Sequence, residues 1–243
     1  MKAKAVASQA RIEMLLTLRR GESLLVTMVI PLGVLVFFSK VDAVNTTYKD
    51  PVDFLVPGVL ALAVMSSAMV SLGIATGYER RYGVLKRLGS TPLSRAGLLS
   101  AKTLNVLALE VVQAFAIVLT GLALGWSTSG RIVVAVVLLL VGTIAFAGIG
   151  LLLAGTLRAE ANLAVANGLF LVLLFLGGMA YPLAKLPDAV ETFAKALPAA
   201  ALSETVRAVL TTGVPFPTGE LAVLLVWAVA APLAAARWFR WEE

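Results

Sequence analysis

Six long apolar stretches divide the sequence, and they constrain its fold more than any other feature. They cover residues 24–38, 54–76, 98–125, 132–156, 163–181 and 221–236. About 20 apolar residues are enough for a helix to cross the hydrocarbon core of a bilayer. Because 60% of the residues are hydrophobic and only 14% are charged, too few charges remain to cover a water-facing surface. We therefore predict an all-α integral membrane protein of one domain with six transmembrane helices.

The first stretch is the shortest, and a cleaved signal peptide is the alternative to a transmembrane helix there. The flanking residues 21–23 and Ser39 can extend it toward a full span. The region before it is more than 20 residues long and contains Glu13 and Glu22, whereas a signal peptide begins with a short basic region. The sequence therefore favours an uncleaved helix.

Positive charges are distributed unequally among the segments that flank the apolar stretches. Thirteen lysines and arginines lie in the two termini and in the second and fourth connections, and six lie in the other three connections. Connections rich in Lys and Arg stay on the cytoplasmic side. Both termini are therefore predicted to be cytoplasmic, which requires an even number of spans.

Residues 1–22 precede the first span and contain five of these cations. Ala3, Ala7, Met14 and Leu18 share one face at helical spacing. Cations beside a cytoplasmic helix end suit anionic lipid headgroups. We predict an interfacial helix that lies along the membrane. A basic tail that only sets the topology is the alternative.

The second connection, residues 77–97, is too highly charged to enter the bilayer and too long for a tight turn. Val84, Leu85 and Leu88 form a short apolar ridge at helical spacing, and Gly89 ends the helix. An exposed apolar patch with a charged rim is typical of a docking site. The alternative is a positive anchor that has no partner.

The fifth connection, residues 182–219, carries two helical patterns. Leucines, Val190 and Phe193 recur every three or four residues before Pro198, which ends the run. Asp188 and Glu191 have the spacing of a helix N-cap and its acidic partner. A second run covers residues 202–210. We predict two short helices that turn back toward the bilayer and cap a path through it.

Glu110 lies near the middle of the third apolar stretch, where an ionised carboxylate is costly. One hypothesis is that Glu110 faces a polar interior or a transport path, with Gln113 and Ser66 as further candidates for that path. The other is that its carboxyl group ties helices together, with Gln113 or a neighbouring span as its partner. The sequence favours neither.

Two glycine pairs in the apolar stretches have the spacing that lets helices approach closely, Gly73 with Gly77 and Gly121 with Gly125. Ordinary packing within the chain is favoured over a contact with a second copy.

The sequence contains no cysteine and no histidine. Disulfides, typical zinc sites and Cys or His nucleophiles are thereby excluded. An intramembrane enzyme remains an alternative function, but it would need a convergent polar cluster around Glu110. An ion-coupled secondary transporter is a further alternative, although such a protein would ordinarily show more than one deep carboxylate.

Two segments resemble those of ABC-2-type transporter permeases, most closely the small drug-resistance-type permeases of bacteria. Residues 79–104 read ERRYGVLKRLGSTPLSRAGLLSAKTL, similar to the cytosolic loop of that family. Residues 177–198 read GGMAYPLAKLPDAVETFAKALP and residues 203–213 read SETVRAVLTTG, similar to the outer re-entrant helices of the family. The resemblance follows the order of segments over nearly the whole chain.

The resemblance implies a coupling helix between spans 2 and 3 that docks on a separate cytosolic ATPase subunit. Its coupling residues map onto Glu79, Arg80, Arg81, Tyr82, Val84, Leu85 and Leu88. The first three would pair charges with the ATPase, and the others would pack into it. The chain contains no phosphate-binding loop of its own, so ATP and Mg²⁺ would be bound by that partner and this chain would be a transport subunit without enzymatic activity.

The resemblance also implies an outer gate, a partner permease and a location. The gate residues map onto Gly177, Gly178, Pro182, Pro187 and Phe193. Two permeases, expected to be a homodimer, would assemble in the bacterial inner (cytoplasmic) membrane, and no nucleic acid is expected as a partner. The expected function is ATP-driven export of a hydrophobic or amphiphilic compound such as a drug, a lipid or a lipid-like metabolite.

As a single permease domain, the chain is expected to divide into six segments. These are the interfacial helix, spans 1 and 2, the coupling loop, spans 3 to 5, the outer helices, and span 6 with its cytosolic tail, at residues 1–22, 24–76, 77–97, 98–181, 182–219 and 220–243.

Overall fold

The computed structural model describes residues 21–40, 50–89, 95–127, 130–211 and 214–241, without the side chains of 21–26, 88–89 and 95–100. These residues form helices joined by turns, with no strand among them. The helices are α1 (Gly21–Lys40), α2 (Pro51–Val64), α3 (Leu72–Arg81), α4 (Val84–Gly89), α5 (Arg95–Ala123), α6 (Ile132–Thr156), α7 (Ala159–Leu176), α8 (Asp188–Lys195), α9 (Pro198–Leu210) and α10 (Thr218–Trp238).

A π-helical segment, Met65–Ser71, joins α2 to α3, so that Pro51–Arg81 is one continuous helix, called here the central helix. Of its apolar stretch, 89% is buried, against 17–50% for the other long apolar helices. It packs against α1, α5, α6, α7 and α9. The second apolar stretch of the sequence therefore forms the axis around which the bundle is built.

Five helices of the described chain are long and apolar enough to cross a membrane. They are the central helix, α6, α7, α10 and the apolar part of α5, Ala101–Ala123. The apolar part of α1, Thr27–Lys40, is shorter than these. The prediction of an all-helical membrane protein is thereby confirmed, while the sixth span stays a prediction. The predicted interfacial helix lies outside the described residues, apart from its last two positions, which begin α1.

Hydrogen bonds at the helix ends define two ends of the bundle. At one end, called here the basic end, Arg80 donates to the carbonyl of Leu157, and the backbone N–H of Arg240 donates to Gly155 at 3.0 Å. At the other, called the α8 end, the backbone N–H of Arg131 donates to Val209 at 2.8 Å. The loop after α3, the turn between α6 and α7 and the tail after α10 therefore lie together, as the charge distribution predicts.

Between α7 and α10 the chain forms a short 3₁₀ turn, Leu183–Lys185, followed by α8 and α9. The predicted cap of α8 is wrong by one residue. Pro187 is the N-cap, and its carbonyl accepts from the N–H groups of Val190 and Glu191, while Asp188 is the first helical residue. Pro198 begins α9, because a proline at the first helical position loses no intrahelical hydrogen bond. Nearly all of α9 is buried, against α2, α6 and α10.

Candidate functional site

The basic end begins where the central helix ends and α4 follows. Tyr82 is the C-cap residue of α3. Gly83 follows it with a φ of 68°, a conformation that glycine adopts without steric cost. Arg87 on α4 donates to the carbonyl of Tyr82 at 3.1 Å, and the ring of Tyr82 stacks on Tyr78 with 6.2 Å between ring centroids. The short helix α4 is therefore attached directly to the end of the central helix.

The three charged residues predicted to pair with an ATPase all have partners within this chain. Glu79 forms an ion pair with Lys102 of α5, with 2.6 Å between Oε2 and Nζ, and the side chain of Lys102 is only 3% exposed. Arg80 is buried and donates to the carbonyl of Leu157 at the end of α6. Arg81 forms an exposed ion pair with Glu160 of α7. These contacts connect the end of the central helix to α5, α6 and α7.

The four residues predicted to pack into an ATPase differ in exposure. Tyr82 is 63% exposed, whereas Leu85 is buried within the chain. Val84 is half-buried, and the side chain of Leu88 lies outside the described residues. Among the three of these side chains that the structure describes, Tyr82 is therefore the most exposed. The coupling role of all these residues stays a prediction.

The Glu79–Lys102 pair leads to a test of this connection. Replacing Glu79 with glutamine removes the carboxylate that pairs with the buried ammonium group of Lys102, and we expect a loss of about 2 kcal/mol in the free energy of unfolding. Adding Lys102→Met is expected to restore most of that loss, since no charge is then left buried. Thermal unfolding of the purified variants measures both. Equal stability of the wild type and Glu79→Gln would contradict a structural role for the pair.

Near the middle of the bundle, Glu110 is in contact with two hydroxyl groups. Ser67, in the π-helical segment, donates to Glu110 Oε1 at 3.1 Å, and Thr143 of α6 donates to Glu110 Oε2 at 2.7 Å. Glu110 is 9% exposed. A π-helical segment inside a longer helix often occurs at a functional site. The carboxyl group therefore joins α5 to the central helix and to α6, one of the two roles that the sequence left open.

The other two candidates for the path lie apart from this cluster. The hydroxyl of Ser66 donates to the carbonyl of Ala63 in its own helix at 2.9 Å. Gln113 is buried and donates to the carbonyl of Thr27 in α1 at 3.0 Å. Glu110, Gln113 and Ser66 are thus not brought together, and their part in a transport path stays a prediction.

At the α8 end, a buried arginine contacts one of the predicted gate residues, Gly178. Arg207 of α9 is 1% exposed and lies over the ring of Phe54, 3.9 Å from its centroid. It donates to the carbonyls of Gly178 at 2.6 Å and Phe54 at 3.4 Å, and it pairs with Glu204. Gly178 has a φ of 64°. Arg207 therefore fixes the turn after α7 to α9 and to the start of the central helix.

The remaining predicted gate residues lie on either side of this turn. Gly177 ends α7, and its carbonyl accepts from the hydroxyl of Ser203. Pro182 precedes the 3₁₀ turn and lines a cavity of about 330 Å³ together with Arg207. Pro187 caps α8, and Phe193 on α8 is 59% exposed. The turn, α8 and α9 thus form one packed unit, and its role as a gate stays a prediction.

An ion pair on the surface of α8 faces the same cavity. Lys195 pairs with Glu191, one helical turn earlier, at 2.7 Å. The pKa of Lys195 is raised above its ordinary value, chiefly because Glu191 accepts a hydrogen bond from the ammonium group. Such exposed pairs contribute only about 0.3–0.5 kcal/mol, so this one is a minor element of the site.

Sequence reasoning missed several residues that organise these sites. Thr143 and Ser67 have no charge and lie in apolar stretches, so only their partner Glu110 pointed to them. Arg207 was counted only among the cations of a loop. Asn162 is fully buried and donates to the carbonyl of Gly73 at 2.9 Å, and an amide directly before the fifth apolar stretch was the available signal.

Comparison with known proteins agrees with this architecture. Residues 6–211 match the family model described as ABC-2 type transporter. The chain is 27% identical over 201 residues to a protein of Bacillus subtilis (strain 168) named "Putative transport permease YvfS", and the match covers 78% of this chain and 79% of that protein. Since the family model covers most of the chain and five of the helices are apolar enough to span a membrane, the chain is a multi-pass membrane protein of the ABC-2 type transporter family.

Proposed function

We propose that the chain is the permease subunit of an ATP-driven exporter. It works as a homodimer in the bacterial inner membrane, with six spans and both termini in the cytoplasm. A separate cytosolic ATPase binds ATP and Mg²⁺ and docks at the basic end. The cargo is a hydrophobic or amphiphilic compound, in keeping with an interior that offers few charged groups to hold a polar one.

The observation that carries this proposal is the connection between α4 and the rest of the bundle. Only Tyr82 and Gly83 separate α4 from the central helix, whose last turn contacts α5, α6 and α7 through Glu79, Arg80 and Arg81. A displacement of α4 by an ATPase therefore moves the ends of four helices together. A passive loop would not need three polar contacts to three different helices.

The α8 end supports an outer gate formed by re-entrant helices. Trp227 of α10 donates from its indole nitrogen to the carbonyl of Ala196, between α8 and α9, at 3.0 Å. Trp227 lies nine residues after the start of α10, which corresponds to a depth of about 14 Å along the helix. The junction between α8 and α9 thus reaches well below the end of the bundle, as expected if the pair dips into the outer leaflet.

The direct test is reconstitution with a cognate ATPase, to be sought among the reading frames beside the gene for this chain. Co-expression is expected to yield a stable complex with vanadate-sensitive ATP hydrolysis, and proteoliposomes are expected to move an amphiphilic dye only with ATP. Transport by this chain alone, driven by an ion gradient, would overturn the proposal in favour of a secondary transporter.

Substitution of Tyr82 tests where the ATPase docks. Large exposed tyrosines are frequent hot spots of interfaces, so Tyr82→Ala is expected to weaken ATPase binding by at least about tenfold and to lower ATP-driven transport equally. Thermal stability of the permease should not change, since this side chain is mostly exposed. Tyr181→Ala is the matched control, because Tyr181 is 42% exposed at the opposite end. An equal effect of the two substitutions would place the docking surface elsewhere.

A further inference from the structure

An apolar groove runs beside Glu110 on the side of the bundle. It encloses about 190 Å³ and is lined by residues of the central helix, α5 and α6, among them Leu60, Val111, Val136 and Leu140. The last three of these are 42–70% exposed, so the groove opens at the outer surface of the helices. Glu110 is the charged residue among the described lining residues. The groove therefore combines an aliphatic wall with one carboxyl group.

The charge of Glu110 has no counter-charge among the described residues. Its partners there are the hydroxyls of Ser67 and Thr143, which are neutral. Burying a carboxylate without a cation is costly, and two hydroxyl donors alone do not remove that cost. A neutral glutamine at this position can also tie the helices, by accepting from one hydroxyl and donating to the other, so the tie does not require a charge. The arrangement thus suits a cation that arrives from outside the chain.

The geometry points to a site for the ammonium group of a single-chain primary amine, an amphiphile whose alkyl chain occupies the groove. This inference rests on the proposed export function and names the chemical class of its cargo.

The hydroxyls at the site are able to accept hydrogen bonds from an ammonium group. Ser67 Oγ also lies 2.9 Å from the carbonyl of Ala63, and Thr143 Oγ1 lies 3.0 Å from that of Leu139. When each hydroxyl donates its single proton to that carbonyl, its lone pairs are free to accept. Together with the two carboxylate oxygens, the two hydroxyl oxygens provide four acceptors, enough for the three donors of a primary ammonium.

The width and lining of the groove select a slim ligand. Its volume is below the roughly 300–1,000 Å³ of pockets that enclose drug-sized molecules. Its walls are Leu, Val and Ala side chains, without the aromatic rings that recognise quaternary ammonium groups. A straight alkyl chain ending in a primary amine fits both features, with the far end of the chain in lipid.

The groove also fits the direction of export. Its lining residues run from the middle of the central helix, α5 and α6 toward the α8 end. An amine bound at Glu110 therefore has its charge near the middle of the bilayer and its chain toward the outside. An amphiphile of the inner leaflet also has its alkyl chain pointing toward the outside. It could therefore reach this site by moving halfway across the membrane without turning over.

Photo-crosslinking in nanodiscs tests the site with the full chain. The probe is dodecylamine carrying a diazirine, and the matched neutral probe is the corresponding diazirine dodecanol. The amine is expected to label the groove segments around Leu60, Leu107 and Val136. We expect Glu110→Gln to reduce this labelling at least about tenfold, because a charge-assisted hydrogen bond is lost, and to leave labelling by the alcohol unchanged. Glu220→Gln, a carboxylate at the α8 end, is the control.

Ala114→Phe provides a second variant, since it fills the groove and retains Glu110. It is expected to reduce labelling by both probes, which keeps the test valid if Glu110→Gln fails to fold. Unchanged amine labelling in Glu110→Gln, or equal labelling of the wild type by amine and alcohol, would overturn the inference and leave a tie between helices. The labelling needs no ATPase, so a negative labelling result would contradict the amine site and not ATP-driven export. Conversely, a failure of ATP-driven transport with intact labelling would contradict the export function and not the amine site.

Discussion

Replacement of Arg207 with methionine is expected to lower the free energy of unfolding by about 3–5 kcal/mol, the cost of breaking a buried charge network. The guanidinium group donates to the carbonyls of Gly178 and Phe54 and pairs with Glu204. Methionine fills similar space but donates no hydrogen bond, so two carbonyls and a carboxylate lose their partner at once. Thermal unfolding of the purified permease, followed by size-exclusion chromatography after heating, measures the loss.

Arg131→Met is the matched control at the same end of the bundle. Arg131 is exposed, and its backbone N–H donates to Val209 while its backbone carbonyl accepts from Ala135, two hydrogen bonds that methionine retains. Arg207→Lys should fall between the two variants, because an ammonium retains the charge but not the planar fork of donors. Equal unfolding temperatures for Arg207→Met and Arg131→Met would show that the turn after α7 is held by other contacts.

The apolar helices were predictable because lipid imposes a simple condition on sequence. A span needs an unbroken apolar run, and the run is visible without knowledge of any neighbour. The predicted range 132–156 coincides with α6, Ile132–Thr156. The central helix extends beyond the predicted 54–76 at both ends, because Pro51 is acceptable in a first helical turn and the charged Glu79–Arg81 continue the helix outside the apolar run.

The partners of polar residues were not predictable, because periodicity identifies a face of a helix but not the helix that covers it. Glu110 was recognised from its charge, yet its partners Ser67 and Thr143 come from two other spans, 43 and 33 residues away. Leu85 belongs to an apolar ridge that predicted an external partner, and the chain itself buries it. The π-helical segment contains no proline or glycine from which an irregular helix could have been predicted.

The partner of the closely spaced Gly73 and Gly77 was not predictable for the same reason. The spacing of Gly73 and Gly77 predicted a close helix contact without naming the other helix. A Cβ on Gly73 would lie 2.9 Å from the carbonyl oxygen of Gly150 in α6, and one on Gly77 would lie 2.6 Å from the amide nitrogen of Asn162. Both contacts are within this chain, as the sequence favoured. The central helix and α6 therefore touch backbone to backbone, next to the π-helical segment.

Gly150→Ala is expected to destabilise the permease by about 3 kcal/mol, at the upper end of the usual cost of overpacking. The added methyl carbon would lie 2.6 Å from the carbonyl oxygen of Met69, which is backbone and moves only if the helix moves. The matched control is Gly168→Ala in α7, where a Cβ has no atom within 4 Å. There, replacing glycine inside a helix should be neutral or stabilise by up to about 1 kcal/mol.

Each variant adds one methyl group to a helical glycine of the wild type. The difference between their unfolding temperatures therefore measures the close contact at Gly150. Separation of α6 from the π-helical segment should also pull Thr143 away from Glu110 and Ser67, since Thr143 lies on α6 two helical turns before Gly150. We therefore expect Gly150→Ala to reduce amine labelling of the groove even in protein that remains folded at low temperature. If Gly150→Ala unfolds at the temperature of Gly168→Ala and labels like the wild type, the contact between α6 and the central helix is not what holds the Glu110 cluster together.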